Sequence, residues 1–390
     1  YMQKDARKDT FFAFYIISYG ITLGIACASN LITLYLFYEL LTLATLPLIM
    51  HGGKTRNIRA GLKYLYYSIG GAALVFIGLV YVIYYGGTTE FFYGGLRAMT
   101  MGTTANSLRI GYLICFIGFG VKSAIFPLHT WLIEAAVAPT PVTALLHAVA
   151  VVKSGVFAII RVTWFVFGPT LLIGTYAQHI PLAIAAFTIV YGCTMALKEQ
   201  NIKRSLAYST VSNLSYIILG ALLLTPEGLR ASLMHMSYHS IIKITLFFCA
   251  GMYLKKGITY VQDLRGMHRA APELAAAYLL AALALTGIPP LLGFISKWSL
   301  AVAAVNYGSR LALLGIAALT LSALLTFFYV VLPGFTTYMG QPNRVCAPRE
   351  FSPGWKALVP LAILSITILL LGFWPAQLGD FFAHAAAGGL

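Results

Sequence analysis

The sequence predicts an all-α polytopic membrane protein, and three observations carry that prediction. Apolar residues make up 59% of the 390 residues and charged residues only 9%, against roughly a quarter charged in soluble domains. Apolar runs of about 20 residues, each long enough to cross a hydrocarbon core about 30 Å thick as a helix, recur along the whole chain and leave no soluble domain over. Basic residues gather at the ends of alternate runs instead of forming one stripe.

Read between polar breaks, the runs give candidate helices near 11–28, 30–50, 62–86, 109–132, 142–167, 179–197, 205–224, 231–254, 274–302, 310–334 and 357–375, eleven in all. The charges that bound them alternate in number. Lys4, Arg7 and Lys8 precede the first run, and Lys54, Arg56, Arg59 and Lys63 separate the second from the third. Lys198, Lys203 and Arg204 follow the sixth, Lys255, Lys256, Arg265 and Arg269 the eighth, and Arg344, Arg349 and Lys356 the tenth. The opposite loops hold only Arg97, Arg109, Arg230 and Arg310. The positive-inside rule makes the rich side cytoplasmic, with the first residue inside and the last outside. The net charge of +15 is thus a topology signal, and no nucleic-acid partner is expected.

The composition also excludes several functions. Cys27, Cys115, Cys193, Cys249 and Cys346 lie singly, with no C-x-x-C spacing for zinc or an iron–sulfur cluster. No Gly-rich phosphate loop and no G-x-S-x-G elbow appears. The chain opens Tyr1-Met2-Gln3-Lys4, which reads as a chain lacking an N-terminal stretch.

Charges inside the runs are the functional signal. An ionised group at the bilayer centre costs at least about 2.5 to 3.5 kcal/mol, so each asks for a partner, water or a function. Glu39 is the one acid deep in an apolar run, and Lys122, Lys153, Lys243 and Lys297 are its basic counterparts. Lysine suits a proton relay because burial favours its neutral form and a neighbouring carboxylate its charged form, whereas arginine stays protonated. The bland alternative pairs one lysine with Glu39 and lets the others snorkel to an interface. His235, His239 and Lys243 are spaced by four, so they line one helix face with about 6 Å of rise between neighbours. That ladder is a chain of titratable groups, with histidine titrating nearest neutral pH. As a metal site it lacks an evident third ligand, and the lysine cation opposes metal binding. His147 lies on a different face from Lys153 and serves equally as a relay group or as a hydrogen-bonded structural histidine.

Prolines break two of the runs, Pro127 beside Lys122 and Pro289-Pro290 beside Lys297. Freed backbone groups are tolerated in a bilayer only where protein or a water-filled cavity surrounds them. The breaks fall in the fourth and ninth runs, five apart, and an odd repeat reverses orientation between copies as an inverted repeat requires. The expected division is a lead-in over 1–10, inverted five-helix repeats over 11–167 and 168–334, and a loop with a C-terminal transmembrane helix over 335–390.

Three segments then carry a resemblance: Lys122-Ser-Ala-Ile-Phe-Pro-Leu-His-Thr-Trp131, Ala138-Pro-Thr-Pro-Val-Thr-Ala-Leu-Leu-His147, and Lys153-Ser-Gly155. With Lys203-Arg-Ser-Leu-Ala-Tyr-Ser, His239-Ser-Ile-Ile-Lys243 and Gly293-Phe-Ile-Ser-Lys297, they make the chain resemble the antiporter-like subunits of respiratory complex I, of Mrp antiporters and of group 4 membrane-bound hydrogenases. The resemblance implies two inverted five-helix repeats after three further N-terminal helices, which this chain would lack. It makes Glu39 and Lys122 the controlling ion pair, Lys153 the bridging lysine, His235, His239 and Lys243 the central relay, and Lys297 the terminal group. It implies an integral subunit of a prokaryotic cytoplasmic membrane, or of an organellar inner or thylakoid membrane, beside other antiporter-like subunits and a redox module. No cofactor is expected in this chain, and any iron–sulfur, flavin or nickel–iron centre belongs to partner subunits. Three functions stay open at this point: redox-driven proton translocation, sodium/proton antiport of the Mrp type with oxygen ligands such as Ser123, Thr143 or Ser209, and a structural membrane scaffold whose charges only pair helices.

Overall fold

The computed structural model describes residue 2 and residues 5–96, 103–340 and 354–388. Tyr1, Lys4, Arg97, Arg344, Arg349 and Cys346 lie outside the described residues. The chain is helical throughout them, with two isolated bridges, Asn30 to Glu90 and Asn201 to Tyr260, as the only extended pairings there. The helices are α1 (Lys8–Ala26), α2 (Leu31–Ile49), α3 (Thr55–Gly86), α4 (Thr103–Lys122), α5 (Thr130–Ala135), α6 (Thr140–Phe167) and α7 (Tyr176–Lys198). They continue as α8 (Ile202–Leu222), α9 (Pro226–Lys255), α10 (Pro272–Thr286), α11 (Leu292–Tyr307), α12 (Arg310–Thr336), α13 (Trp355–Phe373) and α14 (Ala376–Ala386).

Nine of these, among the described residues, are at least 18 residues long and apolar enough to cross a bilayer: α1 to α4, α6 to α8, α12 and α13. Two of the eleven sequence-derived runs differ for physical reasons. The run at 231–254 is one 30-residue helix, α9, whose His235, His239 and Lys243 lower its hydropathy. The run at 274–302 is split by Pro289-Pro290 into α10 and α11. Helix α14, with the Gly379 and Ala386 face buried, was not anticipated.

Two compact units divide the chain. The first holds Tyr1–Ala185 and Ile218–Thr225, the second Ala186–Ile217 and Pro226–Leu390. Such compactness is a different property from the repeat symmetry expected from the sequence.

In the first unit the helix starts follow local chemistry: the Asn30 side chain accepts the Thr33 N–H at 2.8 Å and caps α2. Helices α3 and α4 pack by small residues, which is how membrane helices approach closely. A Cβ on Gly71 would lie 2.8 Å from the Gly118 carbonyl oxygen, and one on Gly118 2.7 Å from that of Gly71. After Lys122 the chain breaks and re-forms as α5. Ala124 takes a left-handed backbone, the Trp131 indole N–H donates to the Val121 carbonyl at 2.8 Å, and the Ser123 hydroxyl donates to the Phe119 carbonyl at 2.9 Å. Side chains thus supply partners for backbone groups at the interrupted helix end.

In the second unit α9 is the central helix, with α10, α11 and α14 packed on it. Helix α10 ends at Gly287, whose φ of +91° favours glycine. A Cβ on Gly293 would fall 1.8 Å from the Ala284 carbonyl oxygen. Only glycine therefore lets α11 start against the end of α10. Large side chains such as Ile16 and Leu23 on α1 and Ile363 and Ile366 on α13 are exposed, as lipid-facing or partner-facing helices require.

Candidate functional site

In the first unit the structure brings Glu39 of α2 to Lys122, the last residue of α4. The ammonium Nζ lies 3.7 Å from the Glu39 carboxylate Oε1, and the lysine is 1% exposed against 26% for the glutamate. The same ammonium sits over the Tyr38 ring, 3.5 Å from its centroid, and donates to the Tyr38 carbonyl. Helix α2 thus offers it a carboxylate, a π-face and a carbonyl from two successive residues. Tyr38 was absent from the sequence reading. Its only signal was its place directly before the buried acid.

Helix α6 carries His147 and Lys153, 0% and 7% exposed. It comes against the broken end of α4 at Gly155, where a Cβ would lie 2.5 Å from the Ser123 N and 2.7 Å from the Lys122 carbonyl carbon. The Lys153-Ser-Gly155 motif therefore combines a buried lysine with the glycine that admits the neighbouring lysine's helix end.

The second unit holds the ladder. Lys243 donates to the Leu206 carbonyl at 2.9 Å and to the Ser209 hydroxyl, both from α8. The rings of His235 and His239 stack with centroids 5.9 Å apart. His235 Nδ1 lies 2.9 Å from the Ser296 hydroxyl oxygen, and that hydroxyl donates to the Gly293 carbonyl at 3.2 Å. His235 Nδ1 and the Ser296 hydroxyl thus share one hydrogen bond, whose donor is set by the histidine tautomer. Tyr216 joins two predicted residues: its ring meets His235 edge-on at 5.2 Å, and the Lys297 ammonium lies over it, 5.2 Å from the centroid.

Lys297 donates to the Leu285 and Thr286 carbonyls at 2.7 and 3.0 Å. These are terminal carbonyls of α10, released by the Pro289-Pro290 break, and a cation suits that negative helix end. These bonds give the cation a structural role of its own. The sodium-ligand candidates Ser123, Thr143 and Ser209 each donate to a carbonyl of their own helix or turn. Among the described residues no group of three His, Cys, Asp or Glu is placed to hold a metal ion.

Known proteins share this architecture. Residues 28–326 match the family model described as NADH:quinone oxidoreductase/Mrp antiporter, transmembrane. The chain is 32% identical over 389 residues to NADH-quinone oxidoreductase subunit N of Desulforudis audaxviator, covering 95% of this chain and 75% of that protein. It is 26% identical over 376 residues to a Na(+)/H(+) antiporter subunit of Alkalihalophilus pseudofirmus, covering 95% and 74%. In fold it resembles a chain of the Mrp complex of Dietzia sp., with TM-score 0.83 and 22% identity over 96% of this chain and 77% of that one.

Proposed function

The chain belongs to the NADH:quinone oxidoreductase/Mrp antiporter transmembrane family, and from that premise we propose that it is the proton-translocating, antiporter-like subunit of a redox-driven membrane complex. It is an integral membrane subunit, and its relatives are subunits of multisubunit membrane assemblies. The observation that carries the reading is the Glu39–Lys122 pair, a carboxylate and an ammonium 3.7 Å apart at a helix break. At an effective dielectric near 20, separating such a pair removes about 4 kcal/mol of attraction. That is enough to decide where along the relay a proton rests.

In this reading Glu39 and Lys122 act as the switch and Lys153, with His147, bridges toward the central groups. Lys243, His239 and His235 carry the proton, and Lys297 discharges it. The residues form two inverted repeats, 11–167 and 168–334. The chain's own chemistry is proton binding and release, and electron-carrying centres sit in partner subunits. A proton enters from the face bearing the basic loops, which is the cytoplasmic face. Lys243→Ala in the reconstituted complex is expected to abolish pumping. Full pumping at normal electron transfer in that variant would refute the central relay.

A second reading is favoured by the likeness to a Na(+)/H(+) antiporter subunit: sodium/proton antiport in a gradient-driven assembly. Purification of the intact complex separates the two, because redox subunits among its partners support the first and their absence the second.

A further inference from the structure

The relay uses only part of the polar material buried in the second unit. A row of hydroxyls and one thiol runs through its interior from α8 across α7 to α12. The Tyr216 hydroxyl donates to Ser322 Oγ at 2.5 Å, Ser322 Oγ lies 2.7 Å from Cys193 Sγ, and Cys193 Sγ lies 3.7 Å from the Tyr329 hydroxyl. Ser212 flanks the row, 3.1 Å from the thiol and 3.3 Å from Ser322. Thr326 flanks it on the other side, 3.2 Å from the Tyr329 hydroxyl. All six side chains are buried, none more than 5% exposed.

The two ends of the row decide its meaning. At one end Tyr216 meets His235 and lies under the Lys297 ammonium. At the other, Tyr329 is part of the wall of a cavity of about 520 Å³. The remaining wall is apolar at Phe328 and Leu332 and polar at Glu199, Gln200, Gln262 and Arg265. Those four polar residues lie in the connection between Lys198 and Lys203 and in the one after Lys255, so the cavity opens on the face of the basic loops.

We propose that Tyr329, Cys193, Ser322 and Tyr216 form a proton-uptake wire from this cavity to His235. This rests on the proton-translocating reading above and names its supply route. Each hydroxyl or thiol accepts a proton on a lone pair as it passes its own proton to the next group. One proton enters at Tyr329 and one leaves the Tyr216 hydroxyl toward His235, whose ring packs edge-on against the Tyr216 ring, with a bridging water closing the gap. No group in the row is left charged. A simple packing role would explain hydroxyls that bond helices pairwise. It does not explain why these groups follow one another from a surface cavity to the relay, in apolar helices where each buried polar group is costly.

The test uses the intact complex reconstituted in vesicles, with assembly checked by co-purification. Ser322→Ala and Tyr329→Phe delete one hydroxyl each and are expected to slow proton translocation roughly tenfold or more. That is less than the hundredfold typical of a lost proton-transfer group, because water can take the place of a deleted hydroxyl. Ser322→Thr and Cys193→Ser keep an exchangeable proton and are expected to restore most of the rate, with a solvent deuterium effect like that of the wild type. A packing role predicts the reverse order, since threonine adds a methyl to a tight site and alanine does not. Wild-type translocation in Ser322→Ala, or a threonine variant as slow as the alanine one, overturns the wire. The relay reading fails separately, if Lys243→Ala pumps normally.

Discussion

The Lys122 ammonium lies between two neighbours in sequence: 3.7 Å from the carboxylate of Glu39 and 3.5 Å from the ring centre of Tyr38. The two contacts differ in kind. The ion pair vanishes when Glu39 is neutralised, whereas the ring contact persists. Glu39→Gln therefore weakens the hold on the proton without releasing the lysine from its place. The expected result is loss of most translocation, at least about tenfold from the Coulomb scale of the pair, with normal assembly. Lys122→Arg is expected to be as inactive as Lys122→Ala, because a guanidinium cannot discharge. Vesicle proton uptake by purified variants checks both, and an active arginine variant would make Lys122 a fixed charge.

Gly155 gives a packing prediction with its own control. Any Cβ there meets the backbone of Ser123 and Lys122 at 2.5 and 2.7 Å, and backbone cannot rotate aside. Gly155→Ala is expected to destabilise by about 1–3 kcal/mol, the usual range for overpacking, and to displace Lys122. Nothing lies within 4 Å of a Cβ on Gly70, so Gly70→Ala is expected to be neutral or slightly stabilising. Thermal unfolding of the purified complex reads the difference.

The His235 tautomer can be set from outside the ring. Ser296→Ala removes the partner that fixes which ring nitrogen carries the proton, so the two tautomers approach equal population and the relay loses its orientation. The expected outcome is a translocation loss of several-fold, with the pH optimum displaced, while Ser296→Thr stays close to the wild type. A pH–rate profile of the three proteins distinguishes this from a loss of packing.

Much of the membrane architecture was legible because bilayers impose one-dimensional rules. Length, apolarity and charge at the run ends placed every long helix, and prolines placed both breaks. The pairing of Glu39 with Lys122 came only from the family resemblance, since the lone acid among apolar residues left four lysines as candidate partners. Tyr38, Tyr216 and Ser296 were not legible, because aromatic and hydroxyl residues are ordinary in membrane helices and gain meaning only from what they touch. The Cys193 row is the extreme case. Its members are single polar residues on three helices, and no spacing in the sequence relates residue 193 to residue 322.

The N-terminal lead-in offers a pH prediction. The Asp5 carboxylate accepts the Arg7 N–H at 2.9 Å and faces His51 Nε2 at 3.1 Å. The Arg7 backbone bond chiefly, and His51 after it, hold its carboxyl below the usual carboxylate value. A lowered folded-state value means that the contact contributes fully above the unfolded value of about 3.9 and is lost as pH falls through the lower, folded one. Asp5→Asn is expected to speed amide exchange at Arg7 at neutral pH. The difference from wild type should shrink as pH falls through that lowered value and the native carboxyl becomes neutral as well.

Lys297 must be tested for two roles at once, because its ammonium both closes the broken end of α10 and lies beside Tyr216. Capping alone requires a cation with donors near the Leu285 and Thr286 carbonyls, and arginine supplies both. Proton discharge requires a group that can become neutral, which arginine does not. Lys297→Met is expected to cost about 1–3 kcal/mol of stability, because buried carbonyls lose their donor, and to lower translocation as well. Lys297→Arg is expected to recover the stability without recovering the translocation. Thermal unfolding together with vesicle proton transport on the same preparations separates the two effects. An arginine variant that both folds and pumps like the wild type would reduce Lys297 to a helix cap and move the outlet to another group.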